Sequence, residues 1–399
     1  MLYLYFKLQK NKMPINPKIF QIEGKVQHYD WGGYEFIPNL LGLKNANSQP
    51  FAEYWLGTHP SAMSICFDGN TKMALDQYSK IPYLFKILDV REMLSIQVHP
   101  SKNEAELGFE LENQAGIKMT ANHRNYKDRN HKPEMAIAIS DFWLLHGFKS
   151  KEALVELLNA TPEFSIFLTV FNNGNYAELY SFVMNLNQDK VNEILSPVLS
   201  RIVPDYERGK FTKNEEHYWA AKAAMSFNKK GVIDRGIFSI YFFNLVYLRK
   251  GEGIAQLAGV PHAYLSGQCA EIMANSDNVL RAGLTAKHID SDELLKIVKS
   301  EPTIPKVLNG YYKGKELIYP SPVEDFRISF FELKGEDIEE ITSMGTEIVF
   351  ILKGSVKIEV EDKMVELKQG QAAIIFSKQN VIVSAVESTE IFRASGNNE

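Results

Sequence analysis

A short segment of alternating polar and apolar residues carries the side chains best suited to chemistry, Ser95-Ile96-Gln97-Val98-His99-Pro100. Successive side chains of a β-strand point to opposite faces, so a strand here places Ser95, Gln97 and His99 on one face. Polar groups on an apolar strand cost free energy unless something binds them, and a divalent metal would do so through histidine nitrogen and glutamine oxygen. A half-buried strand with a solvated polar face is the alternative, because a lone Q-x-H motif is weakly specific.

Two further residues on strand-like segments could complete such a metal site. Glu134 opens one apolar segment, and His262 stands near the start of another. Together with Gln97 and His99 they offer two nitrogens, one carboxylate oxygen and one amide oxygen, a donor set that suits Zn²⁺. Because only one donor is anionic, the metal would keep a net positive charge and act as a Lewis acid at an open position.

Length and composition restrict the fold and the partners. The 399 residues, 45% hydrophobic and 12% aromatic, are enough for two or three domains with a large core. A formal charge of −5 argues against nucleic acid or an anionic membrane as a partner, whereas a small anionic substrate needs only local positive charge. Cys66 and Cys269 are far apart and fit neither a disulfide framework nor a thiolate zinc site, so we expect buried free thiols.

The N-terminal segment begins with apolar residues, but lysines interrupt it before it reaches the length of a membrane span. It also lacks the parts of a secretory signal, and no later apolar run approaches a span. We therefore expect a cytoplasmic protein that does not contact a membrane. Met13 is an alternative start, because sequence typical of an ordered domain begins near Pro17.

The spacing of apolar residues divides the chain into four segments, which differ in predicted secondary structure. They are 14–150 (strands), 151–230 (helices), 231–300 (strands again) and 301–399 (short, strongly alternating strands). In the third segment we expect strands from Phe238 onward and one helix between Asp290 and Ser300. The last segment is typical of a jelly roll and contains no histidine, so a histidine metal site is not expected there.

Several blocks of this sequence resemble those of the type I mannose-6-phosphate isomerases (phosphomannose isomerases), zinc enzymes of the cupin superfamily. The blocks occur in the family's order and are Tyr29-Asp30-Trp31-Gly32, Ala52-Glu53-Tyr54-Trp55-Leu56-Gly57, Ser95 to Pro100, Asn130-His131-Lys132-Pro133-Glu134, Pro261 to Gly267 and Ser276 to Gly283. The resemblance implies a mainly β bicupin of two jelly-roll barrels plus an α-helical domain. Segments 14–150 and 231–300 would form the catalytic cupin domain, 151–230 a helical insert, and 301–399 a C-terminal jelly-roll domain.

The same resemblance implies an enzyme, an aldose–ketose isomerase that interconverts D-mannose 6-phosphate and D-fructose 6-phosphate through a cis-enediol. It implies one zinc ion per chain, held by Gln97, His99, Glu134 and His262. A cationic metal would stabilise the negative charge that develops on the two enediol oxygens. Two alternatives stay open, namely a cupin isomerase acting on glucose 6-phosphate and a non-catalytic ligand-binding bicupin. The expected partner is a small sugar phosphate, and the expected assembly is a monomer or a weak homo-oligomer.

Transfer of a proton between carbons requires an acid and a base with suitable pKa values. Arg281 resembles the family's catalytic arginine, and because arginine stays protonated, electrostatic stabilisation suits it better than the role of a base. His131 and Lys132 adjoin a ligand and could move protons, and Glu271 is a weaker base candidate, placed near the substrate by the resemblance. Without the resemblance, Arg281 could equally form a surface ion pair with Asp277, and the other candidates could be solvated.

A sugar phosphate also needs groups that bind its phosphate dianion and its ring. The candidates are Ser95, Lys86, Lys287, Asp277, Tyr264 and Trp31. Ser95 resembles the family's serine of the phosphate region, and the two lysines would act as point charges. The two aromatic residues could wall the pocket or lie in the core. The remaining histidines are interpreted as packing or surface residues: His28, His59, His123, His146, His217 and His288.

Overall fold

A computed structural model of the protein describes residues 18–69, 71–171, 174–376 and 378–396. The apolar N-terminal segment and Met13 lie outside these residues, so the expectations about them stay predictions.

The described chain is mainly β, which confirms the fold class expected from the alternating pattern. Its strands form sheets of ten, nine and four members, and Cys66 and Cys269 are buried free thiols as expected. The strands are β1 (Ile19–Glu23), β2 (Lys25–Gln27), β3 (Glu53–Gly57), β4 (Ile65–Asp68), β5 (Thr71–Ala74), β6 (Tyr83–Val90), β7 (Ile96–Val98), β8 (Glu134–Ala138), β9 (Phe142–Phe148), β10 (Phe243–Leu248), β11 (Gly253–Gln256), β12 (His262–Ala274), β13 (Leu280–Gly283), β14 (Tyr311–Lys313), β15 (Glu316–Tyr319), β16 (Arg327–Leu333), β17 (Ile338–Thr342), β18 (Glu347–Lys353), β19 (Ser355–Val360), β20 (Lys363–Lys368), β21 (Ala372–Ile375), β22 (Asn380–Ala385) and β23 (Thr389–Ser395).

The ten-stranded sheet is organised around the 13-residue strand β12. The first part of β12 pairs with β7 and β9, and its second part pairs with β6 and β8. The strand bends at Gly267, which has a φ of +122° and whose Cβ position would clash with the backbone oxygen of Asp141. Glycine is the residue that tolerates this conformation and this close approach. Because of the bend, one strand contributes to both walls of the unit that the ten-stranded sheet forms, which we call the first barrel.

The helices of the described chain lie mostly in the segment where helical spacing was predicted. They are α1 (Phe36–Leu40), α2 (Lys102–Gln114), α3 (Lys151–Ala160), α4 (Ser165–Val170), α5 (Tyr176–Asn185), α6 (Gln188–Glu207), α7 (Glu216–Phe227), α8 (Gly236–Phe242) and α9 (Ser291–Ile297). Ser150 caps α3 by accepting a hydrogen bond from the backbone N–H of Ala153 at 3.2 Å, as its position before the helix predicted. No single helix of the described chain is long and apolar enough to cross a membrane. One pair of consecutive helical segments, Lys151–Ala160 and Pro162–Val170, has the required length and composition together, but the two are bent by 117°.

The strands were expected to return at Phe238, and this prediction is wrong. Residues Gly236–Phe242 form α8, all seven of them buried, and β10 begins only at Phe243. The carboxylate of Asp234 starts this turn by accepting the N–H of Gly236 at 2.7 Å. A segment that is apolar on every side has no periodicity to separate a buried helix from a buried strand, and the packing of α8 on α7 decides the outcome.

Helices and strands share one large hydrophobic core behind β7. Ile96 and Val98 are fully buried in it, together with Phe148 of β9 and Trp219 of α7. The apolar face of β7 is therefore held by the helical insert, and its other face is left for polar side chains. Burying two such aliphatic side chains contributes about 1.5–3 kcal/mol each.

The nine-stranded and four-stranded sheets form the C-terminal β-unit. In the nine-stranded sheet the strand order is β14-β15-β16-β23-β18-β21-β1-β4-β5. Three strands of the first segment, β1, β4 and β5, therefore complete a sheet that the last segment mainly builds. The hydroxyl of Tyr83 lies 2.9 Å from the carbonyl oxygens of both Thr346 and Ala394, which ties β6 to this unit. The domain boundary at residue 301 stays a prediction. The nine-stranded sheet contains strands from both sides of this boundary.

A buried ion network lies at one end of the C-terminal unit. The guanidinium of Arg393 donates to Glu347 Oε2 at 2.7 Å and to Glu316 Oε1 at 2.9 Å. Glu347 is fully buried and Arg393 is 9% exposed. Since the network keeps few contacts with water, the single positive charge of Arg393 is important for compensating the negative charge of the two carboxylates.

We expect the Arg393→Met substitution to lower the free energy of unfolding by about 3–5 kcal/mol, because it leaves buried carboxylates uncompensated. Urea unfolding followed by far-ultraviolet circular dichroism measures the change. Lys315→Met is the matched control, since it removes a lysine paired with Asp337 at 2.8 Å on a more exposed surface, and it should cost less than about 1 kcal/mol. Equal effects of the two substitutions would contradict the role given to Arg393.

Candidate active site

Three of the predicted ligand residues meet inside the first barrel. Nε2 of His99 lies 3.3 Å from Oε1 of Glu134, and Nε2 of His262 lies 3.5 Å from Oε2 of the same carboxylate. The two imidazole centroids are 4.9 Å apart, and the three donor atoms all lie within 4.8 Å of one another. All three residues are buried, with His99 fully so. Two imidazoles and one carboxylate therefore face a single point.

Strand pairing places Gln97 beside these three residues. On β7 it lies opposite His262 of β12 on one side and opposite Arg281 of β13 on the other. Residues directly opposite each other on neighbouring strands point to the same face of a sheet. Gln97 therefore shares its face with a histidine of the cluster and with the predicted catalytic arginine.

The tautomers of the two histidines follow from their backbone partners. Nδ1 of His99 lies 3.0 Å from the carbonyl oxygen of Asn278, and Nδ1 of His262 lies 3.0 Å from that of Val260. A carbonyl oxygen only accepts, so each Nδ1 carries the hydrogen and each Nε2 presents its lone pair to the cluster. This is the orientation in which a histidine binds a metal through Nε2.

The cluster has the electrostatics of a cation site. Burial lowers the pKa of His99 to about 4, so the imidazole is neutral. Burial opposes ionisation of Glu134, but nearby Lys132 brings the pKa of that carboxyl well below its usual range. Nε2 of His99 is buried and has no hydrogen-bond partner among the described residues. Lone pairs and a carboxylate without enough donors fit a bound Zn²⁺, whose preferred ligands are these groups.

Lys132 lies at the edge of the same cluster. Its Nζ is 3.0 Å from Oε1 of Glu134, and the side chain is 11% exposed. The lysine therefore lies beside the carboxylate and keeps limited access to solvent.

A second buried charge network lies on the same sheet. The predicted phosphate ligand Lys86 makes a short ion pair with Glu271 and lies 3.9 Å from Glu53. Although burial disfavours its ammonium form, these two carboxylates raise the pKa of Lys86. The hydroxyl of Tyr264 donates to the other oxygen of Glu271 at 2.8 Å. Lys86, Tyr264 and Glu271 thus bind one another inside the barrel.

A cavity of about 460 Å³ opens beside β13 and carries positive charge. Arg281, Lys287 and Lys127 line it, and none of the three makes a salt bridge within the described chain. Desolvation lowers the pKa of Lys287, with further lowering by Arg281 and Lys127, and Nε of Arg281 is buried without a hydrogen-bond partner. Asp277, the alternative partner of Arg281, also lines the cavity, but its carboxylate lies 3.5 Å from His59. Unpaired cations around a cavity favour an anionic ligand, and Lys127 was missed because its local sequence resembles any surface lysine.

The remaining predicted residues lie around this region with other contacts. Nε2 of His131 lies 2.8 Å from Oδ1 of Asp325, which links it to the C-terminal segment. Trp31 stacks on Tyr29 with ring centroids 5.9 Å apart. Ser95 is half-buried immediately before β7.

His146, which the sequence interpretation counted among the packing or surface histidines, lies near the cluster. His146 of β9 is buried directly opposite His262, and its Nδ1 lies 2.8 Å from Oε1 of Gln256, which itself lies opposite Glu134. Burial lowers the pKa of His146 to about 4. The available signal was a histidine within an apolar strand, the same signal that singled out His99.

Comparisons with known proteins agree with this geometry. A family model described as "Phosphomannose isomerase type I, catalytic domain" matches residues 19–151. The chain is 34% identical to the mannose-6-phosphate isomerase of Escherichia coli (strain K12) over 381 residues, or 90% of this chain and 94% of the relative. It is 30% identical to that of Homo sapiens over 430 residues, or 95% and 98%. A crystal structure of mannose 6-phosphate isomerase from Salmonella typhimurium, bound to substrate (F6P) and a metal atom (Zn), is similar with a TM-score of 0.83 and 32% identity, covering 96% of this chain and 100% of that one.

The buried state of His146 predicts a pH dependence of stability. Its folded pKa of about 4 lies below the ~6.5 of an unfolded histidine, so the unfolded chain binds a proton first as the pH falls. This difference should remove about 2 kcal/mol of stability from the metal-free protein between pH 7.5 and pH 5.0. We expect His146→Gln to lose less stability over that interval by about the same amount, as measured by urea unfolding at both pH values.

The control is His28→Gln, which changes an exposed histidine and should keep the full wild-type loss. If His146→Gln and the wild type lost equal stability, the neutral buried imidazole would be excluded.

Proposed function

The chain belongs to the type I phosphomannose isomerase family, and we propose that it interconverts D-mannose 6-phosphate and D-fructose 6-phosphate. In this reaction a proton moves between adjacent carbons of the open-chain sugar through a cis-enediol. The observation that carries the proposal is the buried cluster of His99, Glu134 and His262, joined through Gln97 to a cavity of unpaired cations. The cluster suits a metal and the cavity suits a phosphate, which are the two requirements of this chemistry.

We further propose that one zinc ion per chain is held by Gln97, His99, Glu134 and His262. The neutral imidazole of His99 with its partnerless Nε2, the Nε2 lone pair that His262 presents and the single carboxylate support this assignment. The Salmonella typhimurium relative named above, with zinc and F6P bound, supports the choice of metal. When bound, zinc supplies Lewis-acidic positive charge where sugar oxygens become negative.

Arg281 is proposed to stabilise negative charge on the substrate. It lies opposite Gln97, and its guanidinium has no carboxylate partner in the described chain. Desolvation lowers the pKa of Arg281, but arginine remains protonated near neutral pH, so it acts by charge and by donated hydrogen bonds.

Lys132 is proposed to move the proton, in preference to His131 and Glu271. Its Nζ lies at the metal cluster, whereas the imidazole of His131 is bound by Asp325. The carboxylate of Glu271 is occupied by Lys86 and by a tyrosine hydroxyl, so its proposed contribution is to hold that lysine in place rather than to act as a base.

The phosphate is proposed to bind in the cavity beside β13. Lys287 supplies charge there as expected from the sequence, with Arg281 and Lys127 as further cations. Ser95, which lies immediately before β7, is proposed to donate its hydroxyl to the same phosphate. Lysine and arginine are the usual ligands of a phosphate dianion. The exposed residue Asp277 is proposed to bind sugar hydroxyls at the rim.

The proposed setting follows from the same observations. A small sugar phosphate is the expected partner, and Trp31 and Tyr264 contribute to the walls around it. We propose a monomer or weak homo-oligomer that works in the cytoplasm.

Removal of the metal should abolish turnover. Treatment with a chelator is expected to stop formation of fructose 6-phosphate from mannose 6-phosphate, and added zinc should restore it, as followed by a coupled assay. Glucose 6-phosphate is assayed in parallel, and product formed only from that sugar would contradict the substrate assignment. Full activity in a metal-stripped preparation would contradict the metal's role.

His262→Ala should lose stoichiometric zinc and activity together, because it removes one nitrogen donor from the cluster. Zinc content is measured by atomic emission on the purified variant. His28→Ala, which changes a histidine on the protein surface, should retain both. Stoichiometric zinc in His262→Ala would exclude the ligand role.

Lys287→Met should raise the KM for mannose 6-phosphate about tenfold or more, because one charge-assisted contact to phosphate is lost. Steady-state kinetics over a range of ionic strength measure the effect. Lys296→Met is the control, since this exposed lysine pairs with Glu293 at 2.7 Å outside the cavity. An unchanged KM in Lys287→Met would remove that residue from the phosphate site.

A further inference from the structure

The side chain of Asn278 is fully buried between two loops and uses all of its hydrogen-bonding groups. Its Oδ1 accepts the backbone N–H of Lys127 at 2.7 Å and that of Asp128 at 3.2 Å. Its Nδ2 donates to the carbonyl oxygens of Asp128 and Asn130, each at 2.8 Å. One amide thus fixes the backbone of the loop 127–130.

The carboxylate of Asp128 in turn binds the opposite loop, which contains Ser276, Asp277 and Asn278. Oδ1 accepts from the hydroxyl of Ser276 at 2.9 Å, and Oδ2 accepts from the backbone N–H of Asp277 at 2.8 Å. Nδ2 of Asn278 also reaches Oδ1 at 3.2 Å. Because each residue holds the other's loop, we call the pair Asp128 and Asn278 the loop clasp.

The loop clasp stands between the groups that form the site. The backbone carbonyl of Asn278 accepts from Nδ1 of His99 at 3.0 Å, which sets the tautomer that presents Nε2 to the cluster. The loop 127–130, which the side chain of Asn278 holds, leads directly into Lys132 and Glu134. Three residues after Asn278 the chain reaches Arg281, whose side chain lines the cationic cavity.

From this geometry we infer that the loop clasp is a positioning element that aligns His99, the Lys132–Glu134 segment and the cationic cavity with one another. Neither side chain is a proposed metal ligand, so the clasp acts through the residues that it holds. The inference rests on the proposed metal site, and hydrogen-bonding partners behind metal ligands typically change metal affinity 10–100-fold when they are removed.

The test compares Asn278→Ala, Asp128→Ala and the double variant in the full-length protein. Zinc affinity is measured without substrate, by competition with a chromophoric chelator. Each single variant should bind zinc about 10–100-fold more weakly. The double variant should lose much less zinc affinity than the product of the two single losses, because both substitutions open the same clasp.

The matched control is Asn275→Ala, which removes a half-buried asparagine of the same loop whose Nδ2 donates to the carbonyl oxygen of Ile81 at 2.8 Å. It should keep wild-type zinc affinity even if its thermal stability falls. The absorption spectrum of the Co²⁺-loaded protein should change in Asn278→Ala and stay unchanged in the control. Asp128→Asn retains one acceptor and should recover part of the zinc affinity, which also covers the case in which an alanine variant does not fold.

Wild-type zinc affinity and Co²⁺ spectrum in Asn278→Ala, or in Asp128→Asn if the alanine variants do not fold, would overturn the inference. Weakened zinc binding that is equal in Asn275→Ala would do so as well. A wild-type protein that binds zinc but does not convert mannose 6-phosphate would refute the proposed function and leave the clasp test standing.

Discussion

The site depends on one constraint, which is that hydrogen-bond acceptors converge in a place that is largely shielded from water. The imidazole Nε2 atoms of His99 and His262 and the carboxylate of Glu134 point to one buried place. Such groups repel one another unless a cation or a proton lies between them, and the low pKa of His99 disfavours the proton. A metal ion satisfies all three acceptors at once. The hydrogen bonds and strand pairings around the cluster keep these acceptors close together.

The path of the β-strands, rather than contacts between long side chains, brings these acceptors together. The bend of β12 at Gly267 lets one strand contribute to both walls, and β7 lies between β12 and β13. Behind β7, the helical insert buries Ile96 and Val98, so the strand cannot turn its polar face away without exposing them. The core directly behind β7 therefore fixes which way the strand faces.

Two sets of positive charge near the cluster differ in their partners. Lys86 is neutralised inside the barrel by Glu271 and Glu53, and such a buried pair mainly shapes the interior. Arg281 and Lys287 line a cavity without any carboxylate partner in the described chain. The contrast between paired and unpaired cations distinguishes positive charge that is compensated inside the barrel from positive charge that is not.

The sequence alone was sufficient for the local features, since periodicity reports which side of a strand or helix a residue occupies. It predicted the mainly β class and the helices that follow Ser150. It could not show that Lys86 pairs with Glu271, or that Gly236–Phe242 is helical, because a uniformly apolar run has no period. Only tertiary structure decided which distant side chains meet, since neighbouring strands are selected by packing over the whole barrel and not by their separation along the chain.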